Sequence, residues 1–323
     1  MTNSWLIHDN SCIKIILCTL LCIISHNLSA QDSLAFTHFM DMPGRSYSQG
    51  GACYGKYLFV GMGGNRQMDV YDLERKVQVG TMSTGCTDAR CHANTLNFGS
   101  RRYKQDDEFP LLYVSSGSTT SQDSETSNVY VYRIERQSRQ SQKDTIANFH
   151  CSLVQTISFT GLGDWVECSV DADHDSLWVA TWMNGKRAFL PYAVPDAHQS
   201  KVTLTMTEEA REHAILVDNI RVLGHPQGQF CKDGHIYIPA GMPGEVPYLA
   251  MVSLAQRNYD YVVNLYEVDG FDKHLHRGND WEQEYIFSYD GDYYLGFRHF
   301  IYRLNLDKVK EANYFWCRYR ATH

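Results

Sequence analysis

The chain has 323 residues, a formal net charge of −8 at pH 7 and a hydrophobic fraction of 43%. A mildly acidic chain without a stripe of Lys and Arg is poorly suited to nucleic acid, because phosphate binding needs clustered basic residues. The cysteines form no Cys-x-x-Cys pair, which disfavours structural zinc and thioredoxin-like chemistry.

The N-terminal segment has the pattern of a secretory leader. Residues 15–25 are apolar, follow Lys14 and lead to a small-residue ending at Ala30. The run is shorter than the roughly 20 apolar residues of a membrane span. We therefore predict a signal peptide over residues 1–30, a single mature domain over residues 31–323 with no membrane span, and export to the periplasm or the surface of a bacterium.

Five segments of the remaining chain repeat one pattern of strands. Residues 49–53 and 227–231 both read Gln-Gly-x-x-Cys, and each is followed at the same distance by a second, aromatic-rich strand. Looser copies begin at residues 92, 167 and 284. Self-similarity at this scale indicates a solenoid, a propeller or an array.

Each copy continues with three further strands. Second strands are predicted at 57–60, 111–114, 177–180, 235–238 and 293–295; third strands at 70–73, 129–132, 188–190, 249–252 and 300–304; fourth strands at 77–81, 153–159, 202–206, 261–266 and 314–317. Five units of four strands predict an all-β fold, a β-propeller of five four-stranded blades. The inserted residues 207–222 are predicted to hold a short helix.

One further strand, residues 36–42, precedes the first repeat. We predict that it pairs beside residues 314–317 and closes the ring, which leaves few exposed sheet edges. The blade count depends on this closure, so six or seven blades remain open as alternatives.

The start of each innermost strand points toward one mouth of the central channel. These positions form a polar ring of Gln49, His92, Glu167, Gln227 and Glu284. One interpretation is a wet channel whose polar groups bond to water and backbone. The other is a binding site for a glycan or another polar ligand of the cell surface.

Loops on the same face add three candidate ligand-binding residues, Trp165, Trp281 and Arg298. Both tryptophans follow an aspartate just ahead of an innermost strand. They are interpreted either as packing between blades or as planes on which a sugar stacks.

No motif assigns a catalytic residue, a metal or a cofactor. The chain has no Gly-x-Ser-x-Gly elbow, Walker loop or His-Glu-x-x-His, and a single His-x-His at 274–276 is a weak metal signal. A glycoside hydrolase or lyase that uses Glu167, His92 and Glu284 remains an alternative, as does a protein-interaction scaffold. Cys86 and Cys91 are either bridged, as an exported chain permits, or free.

Two strand pairs carry a family resemblance. Tyr-Leu-Phe-Val at 57–60 with Val-Tyr-Asp-Leu at 70–73, and Leu-Tyr-Val at 112–114 with Val-Tyr-Val-Tyr-Arg-Ile at 129–134, resemble blades of secreted bacterial propellers of the broad WD40 and YVTN kind. The Trp-Asp dipeptide of WD40 repeats is absent. The Gln-Gly starts are similar to those of five-bladed propellers in phage receptor-binding and teichoic-acid-related proteins. These resemblances imply secretion and recognition of a wall glycan or surface ligand, and they transfer no catalytic residue.

Overall fold

The structure is a computed structural model that describes residues 34–42, 48–62, 67–84, 93–116, 128–137, 148–162, 166–218, 225–271 and 282–312. The predicted leader, the Cys86–Cys91 pair and the predicted strand 314–317 lie outside these residues. No helix of the described ranges is long and apolar enough to cross a membrane.

Besides one 3-10 helix at Leu265–Glu267, the described residues form strands and two short α-helices. In chain order they are β1 (Phe36–Asp41), β2 (Ser48–Tyr54), β3 (Tyr57–Met62), β4 (Gln67–Asp72), β5 (Val77–Ser83), β6 (Thr95–Phe98), β7 (Leu112–Ser115), β8 (Asn128–Gln137), β9 (Asn148–Thr160), β10 (Glu167–Asp171), β11 (Ser176–Met183), β12 (Lys186–Ala193), β13 (Lys201–Thr205), α1 (Glu208–Glu212), β14 (Ile215–Val217), β15 (Phe230–Lys232), β16 (His235–Ala240), β17 (Tyr248–Ser253), β18 (Asn258–Asn264), β19 (Gln283–Tyr289), β20 (Asp292–Phe297), β21 (Phe300–Leu304) and α2 (Leu306–Glu311).

The strands form a five-bladed β-propeller, as predicted. Blade 1 is β2-β3-β4-β5, blade 2 is β6-β7-β8-β9 with β13 added outside, blade 3 is β10-β11-β12-β14, blade 4 is β15-β16-β17-β18, and blade 5 is β19-β20-β21-β1. The innermost strands β2, β6, β10, β15 and β19 contact one another around the axis. Each blade therefore presents the start of its first strand at one end of the channel and the end of that strand at the other.

Tight turns join the first two or the middle two strands in three blades. The turns fall at residues 184–185, 233–234 and 290–291, each an Asn-Gly or Asp-Gly pair in which both residues have positive φ. This geometry matches the twist of antiparallel strands, and Asn, Asp and Gly adopt it at the least steric cost.

The N-terminal strand closes the ring, but its partner differs from the prediction. β1 pairs antiparallel with β21, from Phe36 opposite Leu304 to Asp41 opposite Phe300. The prediction placed residues 314–317 between β21 and β1. β1 is itself the fourth strand of blade 5, because the edge of β21 accepts it directly and Phe36 packs its ring edge-on against Tyr302.

The predicted fourth strand of blade 3 is wrong. β13, which covers most of 202–206, pairs in parallel with β9 of blade 2, with Lys201 opposite Thr156. Its side chains alternate between exposed and half-buried, so it needs only a sheet edge. β14 takes the outer place of blade 3 because Ile215 and Val217 are apolar enough to enter the core.

The predicted short helix between these two strands is confirmed as α1. Its N-cap, Thr207, accepts a hydrogen bond from the Ala210 amide at 3.0 Å. This bond satisfies one of the free amides of the first turn.

Candidate functional site

Three of the five repeat starts lie at β-bulges. The pairing register of blade 5 shifts at Glu284, and that of blade 1 shifts at Gln49 and Gly50. In blade 4 one extra residue falls within 227–229, between the isolated bridge at Pro226 and β15. A bulge adds an unpaired residue and re-aims its side chain. The bulges therefore turn these polar side chains toward the channel.

Five side chains from blades 1, 4 and 5 form what we call the Glu284 cluster. Glu284 Oε1 accepts a hydrogen bond from Gln49 Nε2 at 3.4 Å and lies 3.6 Å from Arg298 Nε. Arg298 Nη2 also donates to Glu282 Oε2. Gln227 Nε2 donates to Glu282 Oε1 at 2.7 Å. The cluster thus holds two carboxyls, one guanidinium and two amides.

The charges in this cluster do not balance if both carboxyls ionise. Burial raises the pKa of Glu284 well above its ordinary value, Glu282 raises it further, and Arg298 opposes both effects. Glu284 Oε2 has no hydrogen-bond partner among the described residues. A carboxyl in such surroundings holds its proton over a wider pH range than usual. Glu284 therefore keeps its proton to a higher pH than an ordinary carboxyl does, and its Oε2 has unused hydrogen-bonding capacity among the described residues.

Glu167 belongs to a second set of residues, the Glu167 cluster. It is 0% exposed, and its Oε2 accepts from Arg187 Nη2 at 3.0 Å. Its Oε1 accepts from Asn94 Nδ2 at 3.2 Å. Both oxygens of Glu167 are used inside the protein, and a buried carboxylate of this kind is held by its counter-charge.

The channel is narrow where the ring lies. A Cβ on Gly228 would lie 2.7 Å from the Glu284 backbone oxygen and 3.2 Å from that of Asn94. A Cβ on Gly50 would lie 2.5 Å from the Ala93 oxygen. Only a residue without a side chain permits these approaches, which explains the Gly of the Gln-Gly repeat.

The wet-channel interpretation does not describe three of these positions. Gln49, Glu167 and Glu284 are buried, whereas Gln227 is half-buried. Their polar atoms bond to other side chains of the protein rather than facing a solvent-filled mouth.

The predicted site residues therefore fall into three groups. Gln49, Gln227, Glu284 and Arg298 come together in one cluster. Glu167 lies in the other. His92, Trp165 and Trp281 lie outside the described residues.

Sequence reasoning missed three residues of the two clusters, Glu282, Asn94 and Arg187. Glu282 had a usable signal, because it is a second carboxylate two residues before Glu284, just ahead of an innermost strand. The other two had none. Among the described residues, no three His, Cys, Asp or Glu side chains are grouped so that they could hold a metal ion.

Comparisons with known proteins assign neither a family nor a function to the chain. No family model matches the chain, and no curated protein matches it. Glutaminyl cyclase from Myxococcus xanthus is similar in structure, with a TM-score of 0.43, 12% identity, and coverage of 83% of this chain and 96% of that one. A tail fiber of Staphylococcus aureus phage P68 has a TM-score of 0.48 and 11% identity, with coverage of 88% of this chain and 56% of that one. The chain thus spans a little over half of the tail-fiber chain, and its function is argued from its own residues.

Proposed function

We propose that this propeller binds a polar ligand at the end of the channel where the Glu284 cluster lies. The ligand class that we propose is a glycan. The observation that carries the proposal is the buried carboxyl of Glu284, whose Oε2 has no partner among the described residues, beside the Glu282–Arg298 ion pair. Buried groups with a perturbed pKa and an unused polar atom are typical of binding and catalytic sites.

The cluster offers the mixture of groups that recognises sugar hydroxyls. Arg298 donates hydrogen bonds, Glu282 accepts them, and the amide of Gln227 does both. Arg298 and Gln227 are the accessible members, because the Arg298 side chain is 17% exposed and Gln227 is half-buried. A ligand would meet these two residues first and reach the carboxyls behind them.

The cellular setting of the proposal rests on the sequence. The leader that the sequence predicts over residues 1–30 supports export to the periplasm or cell surface, where glycans are abundant. The repeat starts that resemble those of surface-binding propellers support the same ligand class.

A second candidate function is hydrolysis or elimination of the bound glycan. It is favoured by one observation, the raised pKa of Glu284 beside Glu282. A general acid must hold its proton at the working pH, and glycoside hydrolysis pairs such an acid with a second carboxylate. Glu282 is the better second group than the predicted Glu167, because Glu282 lies in the same cluster as Glu284, whereas Glu167 lies in the other cluster with Asn94 and Arg187.

A binding screen of residues 31–323 against glycans and small polar ligands tests the proposal. Arg298→Gln removes an accessible member of the cluster, and Arg303→Gln is the matched control on the same blade, where it pairs with Asp292 at 2.9 Å. We expect binding to be lost in folded Arg298→Gln and kept in Arg303→Gln. Unchanged binding in Arg298→Gln and in Gln227→Ala would place the ligand elsewhere, and no binding by the wild type would favour the interaction scaffold.

The same preparation tests catalysis by release of reducing ends from any glycan that binds. Glu284→Gln keeps the shape of the side chain but not its proton. Binding without turnover in this variant supports the enzyme, whereas no turnover by the wild type leaves the binding function alone.

A further inference from the structure

The five innermost strands end around a blind cavity at the opposite end of the channel, which we call the axial pit. Its volume is about 320 Å³. Every blade contributes to its wall, for example through Cys53, Asn97, Val170, Cys231 and Ser288. The backbone contacts at Gly50 and Gly228 lie between the pit and the Glu284 cluster, so the two ends of the channel are separate sites.

Aromatic side chains give the pit two apolar walls. Phe98 on blade 2 and Phe230 on blade 4 are both half-buried and line the cavity. Phe98 is held edge-on by Phe59 at a ring distance of 5.3 Å, and Phe230 packs near Tyr237 at 6.3 Å. The walls are therefore preformed, as in most small-molecule sites.

Asn97 lines the pit and carries an unused hydrogen-bond acceptor. Its Nδ2 donates to the Cys168 backbone oxygen at 3.2 Å, which fixes the orientation of the amide. Its Oδ1 has no partner in the part of the chain that the structure describes, and the residue is only 2% exposed. A buried acceptor without a donor costs about 1–3 kcal/mol, so a ligand N–H or O–H at this point is favourable.

The charge of the pit is opposite to that of the whole chain. Among the described residues, Arg102 and Lys232 line it and no Asp or Glu does, although the chain carries a net charge of −8. Lys232 is paired with Asp173 at 2.8 Å.

Arg102 is the cation that is left for a ligand. It donates to the Tyr54 hydroxyl at 2.6 Å and to the Asp107 backbone oxygen at 2.9 Å. Both acceptors are neutral, and no carboxylate of the described residues forms an ion pair with Arg102.

The two thiols of the pit act as wall rather than as reactive groups. Burial raises the pKa of Cys53 to about 12, and burial also raises the pKa of Cys231. Both sulfurs therefore stay protonated near neutral pH, and a protonated thiol is a poor nucleophile and a poor metal ligand.

We propose that the axial pit binds a small organic anion with a planar apolar body and a hydrogen-bond donor. Arg102 takes the anionic group, Phe98 and Phe230 contact the body, and Asn97 Oδ1 accepts from the donor. Hydroxylated or amino-substituted aromatic carboxylates combine these features within the available volume. This site is independent of the glycan site at the other end.

Calorimetric titration of residues 31–323 with 4-hydroxybenzoate tests the proposal. Three further probes lack features of this ligand: benzoate has no donor, 4-hydroxybenzyl alcohol has no charge, and acetate has neither an apolar body nor a donor. We expect 4-hydroxybenzoate to bind more tightly than all three. If acetate bound as tightly as 4-hydroxybenzoate, the affinity would come from a general effect of anions on the surface. That result would overturn the proposed site.

Two variants and a control locate the site. Arg102→Gln is expected to weaken the binding of 4-hydroxybenzoate about tenfold or more, because a charge-assisted hydrogen bond is lost. Ala172→Trp, at an exposed turn on the wall of the pit, is expected to abolish binding by filling the cavity. Arg101→Gln is the control, because Arg101 pairs with Asp175 and does not line the pit.

Loss of affinity in Arg102→Gln and Ala172→Trp but not in Arg101→Gln supports the proposal. Equal affinity in Ala172→Trp and wild type overturns it, as does the absence of binding of every anionic probe at millimolar concentration. An equal loss in Arg101→Gln would move the site to the neighbouring surface that Arg101 and Arg102 share.

Discussion

Gln49 and Glu284 occupy equivalent places at the start of the innermost strands of blades 1 and 5, and Gln49 Nε2 donates to Glu284 Oε1 at 3.4 Å. These two blades meet where the ring closes, because blade 5 contains both β1 and the last three strands. Ser48 adds a second link, from Oγ to the Arg298 backbone oxygen at 3.2 Å. The polar cluster therefore joins the two ends of the ring as well as lining a candidate site.

Glu284→Gln is expected to change how stability depends on pH. Glu284 ionises near 4.5 in the unfolded chain, whereas its pKa in the folded protein is raised. The folded state then binds more protons, so the wild type loses stability as pH rises above this value, by at most about 1.4 kcal/mol per pH unit. The loss stops above the folded pKa. Gln does not titrate, so the stability of the variant relative to the wild type increases as pH rises.

Thermal melts of both proteins from about pH 4 to pH 8 measure this difference. The exposed Glu209→Gln on α1 is the control and should show no comparable gain. A constant difference between Glu284→Gln and the wild type across this range would contradict the buried neutral carboxyl.

Glu167→Gln is expected to destabilise the protein by about 3–5 kcal/mol, because it leaves a buried guanidinium without its counter-charge. The Arg187 side chain is 4% exposed, so water does not replace the lost partner. Arg187→Met should cost a similar amount for the converse reason. Urea unfolding of both variants and of the double variant gives the coupling, and the double variant should cost less than the sum. Strict additivity would mean that the pair contributes nothing.

The repeat predicted the blades because strand alternation and turn residues are local signals. The Gln-Gly start also marked the channel, since Gly50 and Gly228 are required by the close backbone approach at the axis. The bulge at Glu284 has no local signal, because it depends on how β19 registers with β20. Arg187 reaches Glu167 from another strand of the same blade, a contact that spacing does not encode.

The outer strands show the same limit. β13 and β14 both have short apolar patterns, and which of them joins blade 3 depends on competition between two sheet edges. Tertiary context decides such competitions, since strand propensity mainly reflects packing against neighbours. The prediction assigned to blade 3 the segment that comes first in the chain, residues 202–206. The structure instead places β14 there, because Ile215 and Val217 are buried.

Gly228→Ala is expected to destabilise the protein by about 1–3 kcal/mol through overpacking. The added methyl would meet backbone oxygens of blades 5 and 2 at 2.7 and 3.2 Å, and backbone atoms yield less than side-chain tips. Gly55→Asn is the control, because nothing lies within 4 Å of its Cβ and Asn tolerates positive φ. Thermal melts should show a large loss of stability for Gly228→Ala and none for Gly55→Asn. Equal effects of the two variants would mean that the axis is wider than the structure has it.

Phe36→Ala is expected to loosen the closure of the ring and to cost about 3–5 kcal/mol. Phe36 on β1 is 1% exposed, and its ring meets Phe271 edge-on at 5.2 Å and Tyr302 at 6.4 Å. His38→Ala on the same strand is the control. The His38 side chain is 47% exposed, so its removal should change the free energy of unfolding little.

Hydrogen exchange distinguishes closure from general packing. Loss of β1 from blade 5 exposes the edge of β21, so amides of Phe300–Leu304 should exchange faster in Phe36→Ala while those of β8 in blade 2 change little. Uniform acceleration in all blades would mean that the ring opens as one cooperative unit, and unchanged exchange at β21 would show that β1 is not the element that holds blade 5 together.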